Sequence, residues 1–472
     1  MLHMCRWIRR AGIRWTSILV AVLWAGPAAW AQPTLPPPIG TAFIATTDFQ
    51  TGSYSVIDLD TLTVFADLPP NGSHSDNTVR YDSTTNLLYA VNRFGVDSIQ
   101  VIDPRQGYTT PPGGELSVEN GSNPHDIALI NPVKAYVSRG GRSELLIIDP
   151  SLLTITGSID LTALIKPIDL DNSPEPFRML VHGDTVYLIL QHLDRSQALQ
   201  PPLALGEIVV IDTLTDTVTA VIPLATPNPF SDLQYTVALP RGPRLLVSSV
   251  NDFGVLDGGI EAIDPTTNTL DPGFVLSETA VNGNITFFEV VSATQAYAIV
   301  GLLDGSFTNA LVQFNPSTGE LISALATSLP FTLNFAINNA GELYVGPVDT
   351  VSPMPGVRIF NTASAQEMTT APIPVGNLPP GWIVMVEERQ VALTVHKAGT
   401  GAGVVSSIPA GLLCDAICTS NFLVGSAVTL MAVPDAGSTF IGWQGDACTG
   451  TGDCTLSLDQ DKAVTAMFAT IQ

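Results

Sequence analysis

Residues 209–218 read VVIDTLTDTV: a run of branched apolar residues, an Asp, then a short polar turn. Near copies stand at SVIDLDTLTV (55–64), IQVIDPRQGY (99–108), LLIIDPSLLT (145–154) and IEAIDPTTNT (260–269). Weaker copies are LVQFNPSTGE (311–320) and VRIFNTASAQ (357–366). The Asp or Asn closing each phrase falls at 58, 103, 149, 212, 264, 315 and 361, with gaps of 45, 46, 63, 52, 51 and 46 residues. Branched residues suit a pleated, packed strand. The terminal Asp or Asn is expected to fold back onto nearby backbone N–H groups, with the Pro, Thr or Ser beside it setting the turn. A second strand then leaves, as in DTVTAVIPL (216–224).

Two further strands precede each corner: DIALIN (126–131) and KAYVSR (134–139), TVRYDS (78–83) and LLYAVN (87–92), FRMLVH (177–182) and TVYLIL (185–190). A strand-rich period of about fifty residues is the signature of one four-stranded sheet per repeat in a β-propeller. The expected fold is therefore all-β: a seven-bladed β-propeller over residues 41–388. The first blade lacks its innermost strand, because the chain starts that blade at TAFIATTD (41–48). PPGWIVMV (379–386) is expected to supply it by pairing beside residues 41–48, closing the ring and hiding the edge strands.

Bulk composition agrees with short strands and tight turns. Apolar residues make up 45% of the 472-residue chain and charged residues 13%, with 39 glycines and 36 prolines. Residues 1–31 read as a signal peptide: Arg6, Arg9, Arg10 and Arg14 precede the apolar TSILVAVLWAG, and Ala29-Trp30-Ala31 forms a small-x-small cleavage site. An uncleaved N-terminal anchor is the alternative. Cleavage leaves 15 basic against 43 acidic residues, a formal charge of −28. Such a surface repels phosphates and anionic lipid, which argues against nucleic acid and membrane as main partners. Residues 32–40 are a Pro-rich linker. Expected localisation is export: periplasmic, cell-surface or extracellular.

NPHDIALI (123–130), the Tyr136-Val137 strand and the repeated VID turns resemble the YVTN-type β-propellers of bacterial and archaeal envelopes, over roughly residues 40–388. The resemblance implies the fold and leaves the function open, because unlike functions share one fold. Residues 391–472 change register, with short strands ALTV, VTLMAV, FIGW, CTLSL and AVTAMF between Gly-rich turns. GTGAGV, PAG, FIGW and VTAMF resemble the bacterial repeat module related to the internalin B-repeat. Cys414, Cys418, Cys448 and Cys454 all lie in this module. Disulfides supplement a small core in an oxidising compartment. Three pairings are open, of which Cys414–Cys418 with Cys448–Cys454 is favoured because each closes a short turn. A four-thiolate zinc site is the rival, but C-x3-C with C-x5-C is a poor match to structural zinc spacing.

No nucleophile elbow, zincin helix or phosphate loop is present, and the absence of a C-x-x-C-H motif excludes covalent c-type haem. The signal lies in loop length. The 63-residue gap marks blade four, with its excess in 160–176 and 191–206. Long loops that a scaffold does not require are often functional. Both are expected on one rim, beside 123–126 and 251–259. The candidate binding residues are His125, Asp126, Asp171, Glu175, His192, Asp194 and Asp257. Their carboxylates could hold calcium or another divalent cation. The plainer reading makes Asp171, Asp194 and Asp257 ordinary turn residues and His125 a residue that packs the rim, and Asp257-Gly258 is a hairpin signal. Arg80 and Arg178, on innermost strands, are expected to pair with acids rather than bind an anion. The favoured function is a non-catalytic exported or cell-surface protein whose rim binds a protein or glycan. The alternative is a metal-assisted hydrolase or lyase in the central funnel. No cofactor is expected under the first reading.

Overall fold

The structure, a computed structural model, describes residues 35–68, 74–303, 305, 308–349, 356–388, 390–414, 417–445 and 448–471. The expected signal peptide lies outside the described residues. From Pro36 onward the chain is one compact unit.

Between residues 41 and 386 the described strands form seven antiparallel sheets, each with four strands in radial order. The third sheet is typical, running Pro124–Asn131, Lys134–Arg139, Glu144–Asp149 and Thr154–Asp160. The fifth gains a short extra strand, Leu276–Ser277, beside Gly259–Asp264. In the sheet that begins the chain, Thr41–Thr47 pairs on one side with Gly52–Asp58 and on the other with Pro380–Val386. Thr41 lies opposite Val386 and Ala45 opposite Trp382. The segment that follows the seventh blade thus supplies the inner strand of the first, and the fold is a β-propeller.

The repeated phrase is the third strand of each blade and its corner. Asp58 Oδ1 accepts from the N–H groups of Asp60 and Thr61, and Asp212 Oδ1 from those of Leu214 and Thr215. Asp103, Asp149, Asp264, Asn315 and Asn361 make the same short-range closure. One side-chain oxygen satisfies backbone donors that the departing strand cannot reach, which is why this position repeats as Asp or Asn.

Neighbouring blades are also joined at the channel. Asn334 of the seventh sheet accepts from Ile383 N at 3.0 Å and donates to Ile383 O at 2.8 Å. Gln234 of the fifth does the same with Val290 of the sixth, at 2.8 and 3.1 Å. These amides imitate a strand partner across a gap where the innermost strands diverge. Between the sheets lie apolar layers such as Tyr89, Val91, Ile127, Val137 and Ile148.

The C-terminal segment forms two four-stranded sheets. One orders Ile417–Leu423, Gln390–Gly399, Lys462–Thr470 and Ser438–Gln444; the other Leu413–Cys414, Gly403–Ile408, Ala427–Pro434 and Cys454–Ser457. Gly403–Ile408 and Ile417–Leu423 add strands that the sequence reading lacks. Gln390–Gly399 and Lys462–Thr470 run parallel, a pairing between segments seventy residues apart that no local turn signals. Val395, Leu430, Trp443, Val464 and Phe468 fill the space between the sheets. A Cβ at Gly403 would collide with the Phe468 ring, so the glycine permits that closeness. Cys414–Cys418 and Cys448–Cys454 are bonded.

Candidate functional site

In an antiparallel blade, the connections between second and third strands share a rim with those from the fourth strand to the next blade. On that rim a cavity of about 800 Å³ opens into the channel. Its floor and walls come from innermost strands and the segments leading to them: Thr78, His125, Glu175, Phe177, Arg178 and Trp382. The long second-to-third loop of blade four contributes Leu193, Arg195 and 197–202. Blade five adds Phe230, Asp232 and 251–253.

Below the mouth is an ionic brace. Arg80 reaches both Asp126 and Asp232, and Arg178 Nε lies 3.2 Å from Asp232 Oδ1. Arg178 also donates to His125 O at 2.9 Å and to Thr78 Oγ1 at 3.2 Å. Its guanidinium carbon lies 5.1 Å from the Phe177 ring centroid and 4.9 Å from that of Trp382, a cation between two π faces. Burial would raise the Asp232 carboxyl, but Arg80 and Arg178 outweigh it and leave it below the usual carboxylate range.

His125 lines the cavity, edge-on to Phe177 at 4.9 Å, with Nε2 3.2 Å from Asn123 Nδ2. Burial, then the charges of Arg93, Arg178 and Arg195, hold it well below its ordinary range, so the ring is neutral. Its Nδ1 is buried without a hydrogen-bond partner among the described residues. Glu175 is 3% exposed, and its Oε2 accepts from Leu193 N at 2.8 Å. Oε1 is buried with no such partner among the described residues. Burial, reinforced by Asp171 and Asp169, pushes this carboxyl up to about 9.

The seven candidates from sequence take different places. His125 and Glu175 line the cavity. Asp171 lies beside Glu175: one carboxylate oxygen each from Asp169, Asp171 and Glu175 lie within 4.8 Å of one another, the arrangement here that could hold a hard cation. Asp126 is fully buried in the brace. His192 is buried against Glu207 at 2.9 Å, and the same carboxylate takes Lys166 at 2.6 Å. Asp194 closes its own turn onto Ser196 N at 3.0 Å, and Asp257 accepts from Asn251 at 2.6 Å. Sequence reasoning missed Arg195, Asp232, Phe230 and Trp382, because residues from separate blades meet here without any shared spacing.

The family model for the divergent InlB B-repeat domain matches residues 393–472. No curated protein matches the chain. Among solved structures, the chain is similar to the dihydro-heme d1 dehydrogenase NirN in complex with DHE, at 14% identity and TM-score 0.51, covering 75% of this chain and 78% of that one. Others are apo AztD from Citrobacter koseri (13%, TM-score 0.42, covering 73% and 97%) and BamB from Moraxella catarrhalis (13%, TM-score 0.41, covering 66% and 80%). At such identities the likeness speaks for the fold alone. No helix among the described residues is long and apolar enough to cross a membrane.

Proposed function

We propose that the chain is a non-catalytic exported or cell-surface protein whose propeller, of YVTN type and with seven blades, binds a protein partner through one rim. One observation carries this reading. Every strongly exposed phenylalanine among the described residues, Phe49, Phe94, Phe253, Phe274 and Phe331, lies on the rim that bears the cavity. Phe94 is 81% and Phe253 57% exposed. Phe49 and Phe331 approach each other with ring centroids 6.4 Å apart. Exposed aromatic side chains on a soluble acidic surface are costly in water and are the residue type that anchors protein interfaces. The opposite rim carries the Asp and Asn corners together with aliphatic turn residues such as Leu152 and Leu214.

Export is supported by the n-region and cleavage pattern, and by two disulfides in the C-terminal module. That module is read as a spacer or surface-association element. The test is site-specific photocrosslinking in producing cells. A photoreactive residue replacing Phe94 or Phe253 is expected to give one discrete adduct that is absent when it replaces Leu152 or Leu214. Adducts of equal yield from both rims, or from neither, would defeat the reading.

A further inference from the structure

The rim mouth invites a second question, because its electrostatics run against those of the chain. Basic residues number only 15 after residue 31, against 43 acids, yet Arg93, Arg178 and Arg195 all line the one cavity. Two of the three are compensated: Arg93 lies 2.5 Å from Asp76, and Arg178 faces Asp232. The Arg195 guanidinium forms no ion pair among the described residues; its Nη1 donates to Gly140 O at 2.8 Å, while the backbone N–H of Arg195 donates to Asp171 Oδ2 at 3.2 Å. The remaining polar lining includes four amides, those of Asn77, Asn123, Gln191 and Asn228, whose nitrogens already have partners within the protein. The His125 ring has a buried Nδ1 with no hydrogen-bond partner among the described residues. Besides Glu175, the carboxylates of this lining are Asp232, which Arg80 and Arg178 hold, and the exposed Asp252; among the described residues neither forms an ion pair with the Arg195 guanidinium.

The other walls are apolar. Phe177, Phe230, Phe253, Leu193 and Trp382 surround the space, with Phe230 and Phe253 edge-to-face at 5.1 Å. A volume of about 800 Å³ suits a drug-sized molecule, and sites for such ligands combine mostly apolar walls with a few convergent polar groups.

We infer that the funnel is a binding site for a small amphipathic carboxylate, with the acid group at Arg195 and an apolar, ring-sized body against Phe230, Phe253 and Trp382. A free acid fits because the cation that lacks a carboxylate partner stands beside aromatic walls. A neutral ligand leaves Arg195 as it is, and a cation would meet its uncompensated guanidinium. The inference is independent of the rim reading, since it needs no partner protein.

Isothermal titration calorimetry of the full mature chain tests it with three probes: 3-phenylpropanoate, its amide 3-phenylpropanamide, and acetate. The phenylpropanoate is expected to bind at one saturable site, with the amide and acetate each weaker by about ten-fold or more, the scale of one charge-assisted hydrogen bond or one buried ring. Arg195→Gln is expected to lose about ten-fold in affinity for the acid, Arg195→Lys to recover part of it, and Phe94→Ser to leave it unchanged. Equal affinity for acid and amide would overturn the inference, as would no saturable heat with the acid at about 10 mM. So would full binding by an Arg195→Gln variant. If that variant does not fold, weaker binding by Arg195→Lys than by the parent supports the assignment and equal binding of acid and amide to the parent still refutes it.

Discussion

Arg80 and Asp126 are paired at two points: Nε lies 2.7 Å from Oδ1 and Nη2 2.9 Å from Oδ2. Arg80 comes from the second blade and Asp126 from the third, so the pair spans a blade boundary. The same carboxylate accepts from Ile127 N and, one blade further on, from Met179 N at 2.9 Å. The third nitrogen of Arg80 reaches Asp232 Oδ2 at 2.7 Å in the fifth blade. One buried carboxylate and one arginine thereby tie four inner strands or their lead-ins around the channel.

Removing the carboxylate should therefore unbalance several groups at once. Asp126→Ala leaves the partly exposed Arg80 with Asp232 alone and takes away the acceptor of the buried Met179 amide. An unsatisfied buried donor together with a weakened ion pair costs about 2–3 kcal/mol, and urea denaturation should show a loss of that order. Asp126→Asn keeps one acceptor and should cost less. A loss below about 1 kcal/mol for the alanine variant would mean that the brace is not structural.

Glu175 makes stability depend on pH in a definite sense. Its carboxyl titrates near 9 in the folded chain against an ordinary 4.5, so the folded state keeps a proton that the unfolded state releases. Its contribution to stability is full below about 4.5 and is lost as pH rises toward 9. Glu175→Gln imitates the protonated form and keeps an acceptor for Leu193 N. The variant should match the parent near pH 4.5 and exceed it at pH 8.5 by about 1–3 kcal/mol, measured by denaturation at both pH values. A difference independent of pH would remove the claim of a buried, protonated glutamate.

What the sequence disclosed depends on how far each interaction reaches. The corners were legible because Asp212 bonds to residues two and three positions away, so its chemistry repeats within ten residues. The inner strand Pro380–Val386 was legible only by subtraction, because blade one lacked a strand and one was left over. The brace was not legible in full. Arg80 and Asp232 are 152 residues apart, and an Asp before a short strand carries no mark of that partnership. Trp382, Phe177 and Phe230 reach the funnel from three blades for the same reason. The parallel pairing in the C-terminal module was equally hidden, since no turn joins its two strands.

Asn315 tests whether the corner chemistry is shared or particular. Its Oδ1 accepts from Ser317 N at 2.9 Å and Thr318 N at 3.3 Å, a role that Asp fills at five other corners. Asn315→Ala should cost about 1 kcal/mol, as other local side-chain closures do. Asn315→Asp should lie within about 0.5 kcal/mol of the parent. Thermal melts of the two variants separate an acceptor requirement from a size requirement, because alanine and aspartate would then behave alike only if the oxygen were irrelevant.

The two tryptophans after residue 31 report on different parts of the chain: Trp382 lines the funnel, and Trp443 is buried in the C-terminal core. Cys448 and Cys454 belong to that same core, at 0% and 7% exposure. A cross-link closing so short a loop restricts the unfolded chain by about 2 kcal/mol. The double variant Cys448→Ala/Cys454→Ala should therefore lower the denaturation midpoint seen by Trp443, read in a Trp382→Phe background. The midpoint seen by Trp382, read in a Trp443→Phe background, should stay in place, because the propeller's sheets close on themselves through Pro380–Val386 before the module begins at Gln390. Were both midpoints to fall together, the module and propeller would unfold as a single cooperative body, and the C-terminal segment would be a structural part of the propeller rather than an appended element.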